Sequence, residues 1–413
     1  MSLDAAVVMA RCDELAAVSS TPGAIERVYL SAEHARVNAM AARWMEEAGM
    51  RTWQDAAGNQ CGRYEGVRPG LPALLLGSHL DTVPDAGRYD GILGVMLSIA
   101  VVARLHATGR RLPFAVEVIA FGDEEGTRFG TALLGSRAVA GTWDERWWEL
   151  EDAHGTTLME AFHAFGLDPS RIGAAARTSD EVLAYLEAHI EQGPYLEEAD
   201  RALAVVSSIA GARRFALTLT GKAGHAGGVP LDRRRDALPG AAEAVLAVER
   251  VAREHGVIAT VGRLETFPGA VNVIPGRVEF SLDLRAEFDE DRDRAWEAIE
   301  RAMSESARRR HLALTVEETH SAPAVAAAGH LQDVVRAGIR ATGDAEPMVL
   351  FSKAGHDAMA IAELADYAML FLRCEGGVSH HPAENVTEAD VASALDAFEA
   401  AVLAFAESRA TGA

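Results

Sequence analysis

The chain has 413 residues, 49% hydrophobic and 24% charged, and its 61 acidic and 39 basic residues give a net charge of −22. This composition allows a large buried core and predicts two folded domains rather than a disordered chain. The negative charge disfavours binding to nucleic acid or to an anionic membrane surface. The sequence shows neither an apolar run of membrane-spanning length nor a secretory signal, so we expect a cytoplasmic protein.

The first part of the chain predicts an α/β domain. Apolar spacing indicates helices over Asp4–Val18 and Ser31–Gly49. A strand at Ala73–Gly77, an apolar helix at Gly91–His106 and a strand at Phe114–Phe121 follow. This alternation indicates a mixed, mainly parallel sheet. Because ligands of such sheets bind at the carboxyl ends of the strands, a site is expected where these two strands end.

A smaller domain is predicted between residues 210 and 323, because the pattern there changes to strand, helix, strand, strand, helix, strand. This order is typical of a ferredoxin-like α+β fold. The predicted elements are Arg213–Thr220, Asp232–His255, Val257–Glu265, Gly276–Arg285, Glu290–Arg309 and Leu312–Glu317. The larger domain resumes with Leu331–Ala341, Met348–Phe351, Tyr367–Leu372 and Thr387–Ser408. Residues 1–209 and 324–413 would thus form one discontinuous domain into which the second is inserted.

Polar residues follow the first strand. His79 is a candidate metal ligand, and Asp81, two residues on, projects to the same side of an extended chain. The carboxylate of Asp81 is therefore expected to hold the far nitrogen of the imidazole. Asp90 stands just before the apolar helix and has two interpretations from the residues alone. It either caps that helix or bridges two cations.

Glu124 and Glu125 close the second strand. Adjacent residues at a strand end point to different sides, so one carboxylate can bind metal while the other faces a reacting water. Spacing does not assign the two roles. The alternative, a solvated acidic turn, is disfavoured by the buried pattern of the strand before the pair.

Two more histidines, His189 and His380, lie downstream, and each is expected where an apolar strand gives way to a Gly-rich turn. Each would complete the ligands of one metal ion, although His381 next to His380 leaves the second assignment open. These carboxylates and imidazoles together suit a two-metal hydrolytic centre with one carboxylate left as a base.

Seven ordered motifs carry a resemblance that spans nearly the whole chain. They are Gly77–Val83, Asp85–Gly91, Gly122–Gly126, His189–Pro194, Gly224–Gly227, Ala354–Ala358 and Ser379–Glu384. Together they resemble the M20 metallopeptidase superfamily, and within it the branch that hydrolyses ureido and carbamoyl compounds. The resemblance implies a zinc-exopeptidase-like catalytic domain with an inserted lid and dimerisation domain.

The resemblance also implies two divalent metal ions, zinc or manganese, with cobalt or nickel compatible with the same ligands. It selects His380 rather than His381 and makes Glu124 the general base. The implied ligands are His79, Asp90 and His189 for one ion, and Asp90, Glu125 and His380 for the other.

The substrate-binding residues implied by the resemblance are Gln192, His225, Asn272, Arg285 and His356. In a homodimer, those of the inserted domain would reach the active site of the partner subunit. A guanidinium suits a substrate carboxylate, although a surface ion pair explains Arg285 equally well from the residues alone. His225 can donate to a developing oxyanion. Lys353 departs from the family, which usually has a small residue there, and it adds a cation.

The function implied by the resemblance is cleavage of a ureido C–N bond in a small carboxylate substrate, with allantoate preferred. N-carbamoyl-L-amino acid hydrolase is the nearest alternative, since it shares every metal ligand, and ureidoglycolate amidohydrolase is another. An aminoacylase or dipeptidase is less favoured because Gln192 and Asn272 suit a urea group. A non-catalytic binding protein of the same fold would be expected to lose the ligands or the base, all of which are present.

Overall fold

The computed structural model describes residues 4–411, and the chain divides into two compact units. The first unit comprises the chain up to Ser207, Ala327–Leu350 and the chain from Gly355 onward; the second comprises Ser208–Ala326 and Phe351–Ala354. The boundaries predicted from the sequence lie at residues 210 and 323, and they do not include residues 351–354, which belong with the second unit. Within residues 4–411, none of the helices combines the length and apolar character needed to cross a membrane.

Strands and helices alternate through the first unit and recur in the second. The strands are β1 Arg51–Gln54, β2 Gln60–Tyr64, β3 Ala73–His79, β4 Ala115–Phe121, β5 Val182–Ile190, β6 Leu203–Ile209, β7 Gly211–Thr220, β8 Gly224–His225, β9 Ile258–Thr260, β10 Leu264–Phe267, β11 Val273–Ile274, β12 Arg277–Ala286, β13 Ala313–Ala322, β14 Val325–Ala326, β15 Met348–Ser352 and β16 Tyr367–Leu372. The helices are α1 Ala5–Ala16, α2 Ala32–Glu47, α3 Ile92–Ala107, α4 Leu134–Val139, α5 Leu158–Phe165, α6 Tyr195–Glu198, α7 Ala237–His255, α8 Asp289–Arg309, α9 Gly329–Ala341, α10 Ala358–Ile361 and α11 Glu388–Thr411.

The sheet of the first unit runs in the order β1-β2-β4-β3-β5-β16-β6, with β15 beside β6. Its central strands β4, β3, β5 and β16 are parallel neighbours, whereas β1, β2 and β6 pair antiparallel. The predicted mixed, mainly parallel sheet is therefore confirmed. Every residue of β3 and β4 is buried, as expected for parallel strands covered on both faces.

Local sequence signals explain where α2 begins and ends. The side chain of Ser31 accepts a hydrogen bond from the backbone N–H of His34, which caps the first turn. Gly49 follows the helix with φ of 81°, and a Cβ there would lie 2.4 Å from the ring of His106. Both the left-handed conformation and the close packing favour glycine at this end.

The second unit has a sheet in the order β10-β12-β7-β13, with β9 also paired to β12. Helices α7 and α8 pack on it, and Phe215 of β7 stacks on Trp296 of α8 with ring centroids 3.7 Å apart. Two predicted elements are corrected here. The single strand expected over Val257–Glu265 is two short strands, β9 and β10. The helix expected from Asp232 begins later, at Ala237, because Asp236 caps it by accepting from the N–H of Leu238.

Candidate metal centre

The carboxyl ends of β3, β4 and β5 meet at one edge of the sheet. His79 is the last residue of β3 and pairs with Phe121, the last residue of β4. His189 is one residue from the end of β5. Glu124 follows β4 in the turn after it, and Asp90 lies just before α3. The fold therefore brings together polar side chains from four separate segments of the chain.

His79, Asp90 and His189 form a buried group whose ligand atoms all lie within 4.8 Å of one another. Nε2 of His189 is 3.2 Å from Oδ1 of Asp90, and Nε2 of His79 is 3.9 Å from the same oxygen. Exposure of the side chains is 2% for His79, 6% for Asp90 and 1% for His189. Solvent therefore does little to stabilise the negative charge of the Asp90 carboxylate, so nearby positive charge must do so.

Backbone carbonyls set the orientation of both imidazoles. Nδ1 of His79 lies 3.1 Å from the backbone oxygen of Asp81, and Nδ1 of His189 lies 2.9 Å from that of Ile190. A carbonyl oxygen only accepts hydrogen bonds, so Nδ1 carries the proton in each ring and the lone pair of Nε2 faces Asp90. Within residues 4–411, His189 Nε2 has no hydrogen-bond partner. A lone pair directed at a carboxylate requires a positive charge between them, which a proton or a metal ion supplies.

The carboxylate of Asp81 has a different role from the expected one. It lies 3.7 Å from Nδ1 of His79, which is too far for a hydrogen bond. It accepts instead from the backbone N–H groups of Glu124 and Glu125, at 3.1 and 3.2 Å. The expectation that this carboxylate holds the imidazole is therefore wrong. The backbone oxygen of Asp81 does so, and its carboxylate fixes the turn that carries the two glutamates.

A second group consists of Asp90, Glu125 and His380. Nε2 of His380 is 3.0 Å from Oδ2 of Asp90 and 3.5 Å from Oε1 of Glu125. The neighbouring His381 faces its own loop, where its Nδ1 accepts from the backbone N–H of Ala383. Oδ1 of Asp90 thus faces His79 and His189 of the first ligand group, whereas Oδ2 faces His380 of the second.

The helix-cap interpretation of Asp90 is wrong. Gly91 is the N-cap residue of α3, and within the described chain no side chain makes a cap hydrogen bond there. Gly91 has φ of 71°, and a Cβ would lie 2.3 Å from the ring of His79. The chain can therefore place Asp90 against the imidazole only because its neighbour is glycine.

The spacing in both groups fits a divalent cation. Two ligand atoms about 2.1 Å from one cation lie roughly 3.0–3.4 Å apart for angles between 90° and 109°. The separations of 3.2 and 3.0 Å from Asp90 to His189 and His380, and of 3.5 Å from His380 to Glu125, are close to this range. The 3.9 Å separation from Asp90 to His79 requires a small shift. Imidazole nitrogens and carboxylate oxygens are ligands that Zn²⁺, Mn²⁺, Co²⁺ and Ni²⁺ accept.

The electrostatics of the centre also favour cations. Burial, together with the charges of Glu125 and Asp357, raises the pKa of Glu124 well above its usual value. Burial and Asp90 raise the pKa of Glu125 to about 8. Burial alone would lower the pKa of His189, but the carboxylate of Asp90 raises it to about 9. Several carboxylates thus share one poorly solvated space, and positive charge stabilises them there.

Two predicted substrate-binding residues lie in the first unit, beside these groups. Nε2 of Gln192 donates to Oδ2 of Asp90 at 3.0 Å. His356 is only 1% exposed, and its ring lies 4.5 Å from that of His189 in an edge-to-face contact. Together with Glu187, these two histidines form a further set of ligand atoms within 4.8 Å of one another.

The other three predicted substrate-binding residues belong to the second unit. His225 is exposed on β8, and its Nδ1 accepts from the N–H of Gly227. Asn272 accepts through its backbone oxygen from the N–H of Ala226. Arg285 forms an ion pair in which Nε and Nη2 donate to Asp283 at 2.9 and 3.0 Å. The ion pair expected as an alternative for Arg285 is therefore present.

The sequence profile of peptidase family M20/M25/M40 matches residues 75–404. The chain belongs to this family. Like the M20 family as a whole, it is a hydrolase, and the predictions of family, enzyme class and fold are confirmed. Its candidate ligand groups accord with a metal-dependent enzyme.

Among the similar proteins, one is named for the preferred activity, on allantoate, and another for the alternative activity, on N-carbamoyl-L-amino acids. The M20 hydrolase is 41% identical over 415 residues to a probable allantoate deiminase of Oryza sativa subsp. japonica, covering 92% of this chain and 84% of the relative. It is also 41% identical over 384 residues to an N-carbamoyl-L-amino acid amidohydrolase of Geobacillus stearothermophilus, covering 92% and 94%. A solved hydantoinase/carbamoylase family amidase from Burkholderia multivorans superposes with a TM-score of 0.91 at 31% identity, covering 97% and 98%.

Two residues beside the centre of the M20 hydrolase, Ser379 and Glu384, were not predicted from the sequence. Ser379 Oγ lies 3.2 Å from Oδ2 of Asp90 and 2.9 Å from Oε2 of Glu384. Both residues belong to the motif Ser-His-x-Pro-x-Glu, which spans Ser379–Glu384 and also contains His380. The fixed polar residues at its two ends were the signal that could have identified them.

Proposed function

We propose that this M20-family hydrolase is a two-cation amidohydrolase that cleaves a ureido C–N bond in a small carboxylate substrate, with allantoate preferred. The observation that carries the proposal is the placement of Asp90, whose two oxygens face two different groups of metal ligands. A carboxylate between two cations is typical of hydrolytic two-metal centres. The names of the relatives from rice and Geobacillus support the ureido and carbamoyl substrate class.

Asp90 is the shared ligand in this proposal, with His79 and His189 completing one site and Glu125 and His380 the other. Bound divalent cations would polarise the substrate carbonyl and lower the pKa of a water molecule. The protein positions the ligands through the backbone contacts that fix both buried imidazoles. Such contacts orient metal-bound histidines in other proteins.

Glu124 is the proposed general base. It is 8% exposed, its Oε2 lies 3.9 Å from Nε2 of His79, and its carboxylate forms a further set of ligand atoms within 4.8 Å of one another with His79 and Glu125, so it is next to both proposed sites. It would take a proton from the attacking water and pass it to the leaving nitrogen. Asp81 supports the role by fixing the backbone of Glu124.

Arg285 is the proposed partner of the substrate carboxylate. A guanidinium has five N–H groups; Asp283 accepts two of them, and the backbone oxygen of Lys353 accepts one from Nη1 at 2.7 Å. One N–H therefore remains on each terminal nitrogen to donate to a substrate carboxylate. The ion pair with Asp283 thus orients the guanidinium without using up its binding capacity.

The remaining substrate contacts are assigned by chemistry. Ureido oxygen and nitrogen atoms require both donors and acceptors, which the amides of Gln192 and Asn272 provide and which His356 supplements. His225 would donate to the developing oxyanion. We further propose that the second unit is the lid and dimerisation domain of a homodimer, and that it delivers its residues to the active site of the partner subunit.

N-carbamoyl-L-amino acid hydrolysis is the second candidate, because the Geobacillus relative is as similar to the chain as the rice relative. Steady-state kcat/KM should be measured on allantoate, ureidoglycolate and several N-carbamoyl-L-amino acids. The enzyme should be stripped of metal and reloaded in turn with Zn²⁺, Mn²⁺, Co²⁺ or Ni²⁺. We expect the highest value with allantoate. Fast turnover of N-carbamoyl amino acids beside negligible turnover of allantoate would establish the second candidate instead.

A further inference from the structure

Glu384 connects the loop before α3 to the loop that carries His380. Its side chain is buried, with 1% exposure. Oε1 accepts hydrogen bonds from the backbone N–H groups of Tyr89 at 2.8 Å and Asp90 at 3.1 Å. Oε2 accepts from the hydroxyl of Ser379 at 2.9 Å. One carboxylate therefore holds two segments that are almost 300 residues apart in the sequence.

The loop before α3 is shaped around this carboxylate. A Cβ on Gly87 would lie 2.2 Å from the carboxyl carbon of Glu384. Only a glycine leaves room for the side chain at that position, so the contact is part of the loop structure. The backbone position of Asp90 thus depends on Glu384.

Glu384 also controls the direction of one hydroxyl proton. The hydroxyl of Ser379 has a single proton and two nearby acceptors, Oε2 of Glu384 at 2.9 Å and Oδ2 of Asp90 at 3.2 Å. The shorter contact to Glu384 is favoured, and the oxygen of Ser379 then accepts from Nε2 of Gln192 at 3.2 Å. The proton is therefore directed away from Oδ2 of Asp90, the oxygen that faces His380.

We propose that Glu384 is a positioning residue for the second cation, the one held by Asp90, Glu125 and His380. It fixes the backbone of Asp90, and it keeps the proton of Ser379 away from the oxygen that this cation needs. The inference rests on the two-cation centre proposed above and is independent of the substrate.

The variant Glu384→Gln separates these two effects. Its amide oxygen can still accept from the N–H groups of Tyr89 and Asp90, which preserves the loop. Its NH₂ group, however, would donate to the oxygen of Ser379, whose proton would then turn to Oδ2 of Asp90 and compete with the cation. Residues that orient metal ligands typically contribute about 10–100-fold to metal affinity. We expect the second cation to bind about 10-fold more weakly while the first is unaffected.

The experiment uses the full-length protein loaded with Mn²⁺ and dialysed against a graded series of chelator concentrations, with bound manganese measured by elemental analysis. The matched control is Glu375→Gln, in the same C-terminal region, where the carboxylate is exposed and accepts from Asn385. We expect this control to release manganese as the wild type does. In Glu384→Gln, half of the manganese should be released at lower chelator concentration. Equal release from both variants would overturn the inference.

Ser379→Ala tests the proposed route directly, because it removes the proton that Glu384 controls. In this background Glu384→Gln should cause little further weakening, whereas additive weakening would overturn the inference. Ser379→Ala alone should keep both cations, and loss of the second cation from this single variant would also overturn it, even if Glu384→Gln fails to fold. A wild-type protein that never holds two manganese ions would overturn the two-cation centre itself, which is a distinguishable result.

Discussion

Oδ1 of Asp81 accepts a hydrogen bond from the backbone N–H of Glu124 at 3.1 Å. Its other oxygen accepts in the same way from Glu125 at 3.2 Å. The loop after β3 therefore sets the geometry of the turn after β4. The proposed base and the proposed ligand beside it are held by one buried carboxylate.

Asp81→Asn should weaken both catalysis and stability. An amide NH₂ would face one of the two N–H groups, and an unpaired buried group costs about 1–3 kcal/mol of unfolding free energy. A shifted turn would lower kcat by roughly 100-fold, since small misplacements of catalytic groups have large effects. Urea denaturation and steady-state kinetics measure the two effects. The control is Asp85→Asn, an exposed residue of the same loop; an Asp81 variant indistinguishable from it would contradict the prediction.

Glu124→Gln should abolish most turnover and leave the metal content unchanged. The amide cannot take a proton, and loss of a general base typically lowers the rate by about 10²–10⁴-fold. Elemental analysis and kcat should be measured on the same preparation. Glu125→Gln is the matched comparison, because this variant should instead lose one of the two cations. Substantial activity in Glu124→Gln would exclude Glu124 as the base.

Removing the metal should make stability depend on pH in a defined direction. Burial and Asp90 raise the pKa of Glu125 to about 8 from 4.5. Between these values the folded metal-free protein binds a proton that the unfolded chain does not. Stability is therefore lost as the pH rises through this window, by about 1.4 kcal/mol per pH unit for this group. We expect the gap in unfolding free energy between Mn²⁺-loaded and metal-stripped protein to widen from pH 6 to pH 8.

Urea denaturation of both forms at several pH values checks this expectation. In Glu125→Gln the stripped protein should show a flatter dependence, because an amide does not titrate. A gap that stays constant across this range would show that the carboxylates of the centre do not repel one another as the structure indicates.

His34 should cause a separate loss of stability in acid. Its ring is buried and stacks on Phe165 at 5.2 Å, and its Nδ1 accepts from the N–H of Leu30. Burial and the charge of Arg27 lower its pKa to about 3 from 6.5. The unfolded chain therefore binds a proton between these values and the folded protein does not, so stability falls as the pH decreases by about 1.4 kcal/mol per unit.

His34→Asn keeps an acceptor for the N–H of Leu30 but does not titrate. Its unfolding free energy should therefore decline less steeply than that of the wild type between pH 6.5 and pH 4, as measured by urea denaturation. The exposed His330 provides the control, and His330→Asn should follow the wild-type slope. Parallel slopes for His34→Asn and the wild type would contradict the prediction.

The sequence was sufficient to locate β3, β4 and α3, because each is a nearly uninterrupted apolar run that ends in polar residues. A strand ending near His189 was also expected, but its bounds were not, since the buried Glu187 and His189 interrupt the apolar pattern of β5. The hydroxyls of Ser78 and Tyr185 donate to the buried carboxylate of Glu187, and such tertiary contacts leave no periodicity in the sequence.

The same limit applies to the contacts inside the site. The strand spacing placed Asp81 on the same side of the chain as His79. It could not show that two backbone N–H groups of a later turn donate hydrogen bonds to the carboxylate of Asp81. The link from Glu384 to Asp90 joins residues far apart along the chain. Motif resemblance grouped the proposed ligands correctly in space, although their roles remain predictions.

The two ligand groups become complete at different times during protein synthesis. His79, Asp90 and His189 all precede β6, whereas the group that includes His380 needs the C-terminal part of the chain. At roughly 5–20 residues per second, the roughly 190 residues between the two histidines take about 10–40 s to synthesise. All ligands of the proposed buried site are thus synthesised before the second proposed site can be complete.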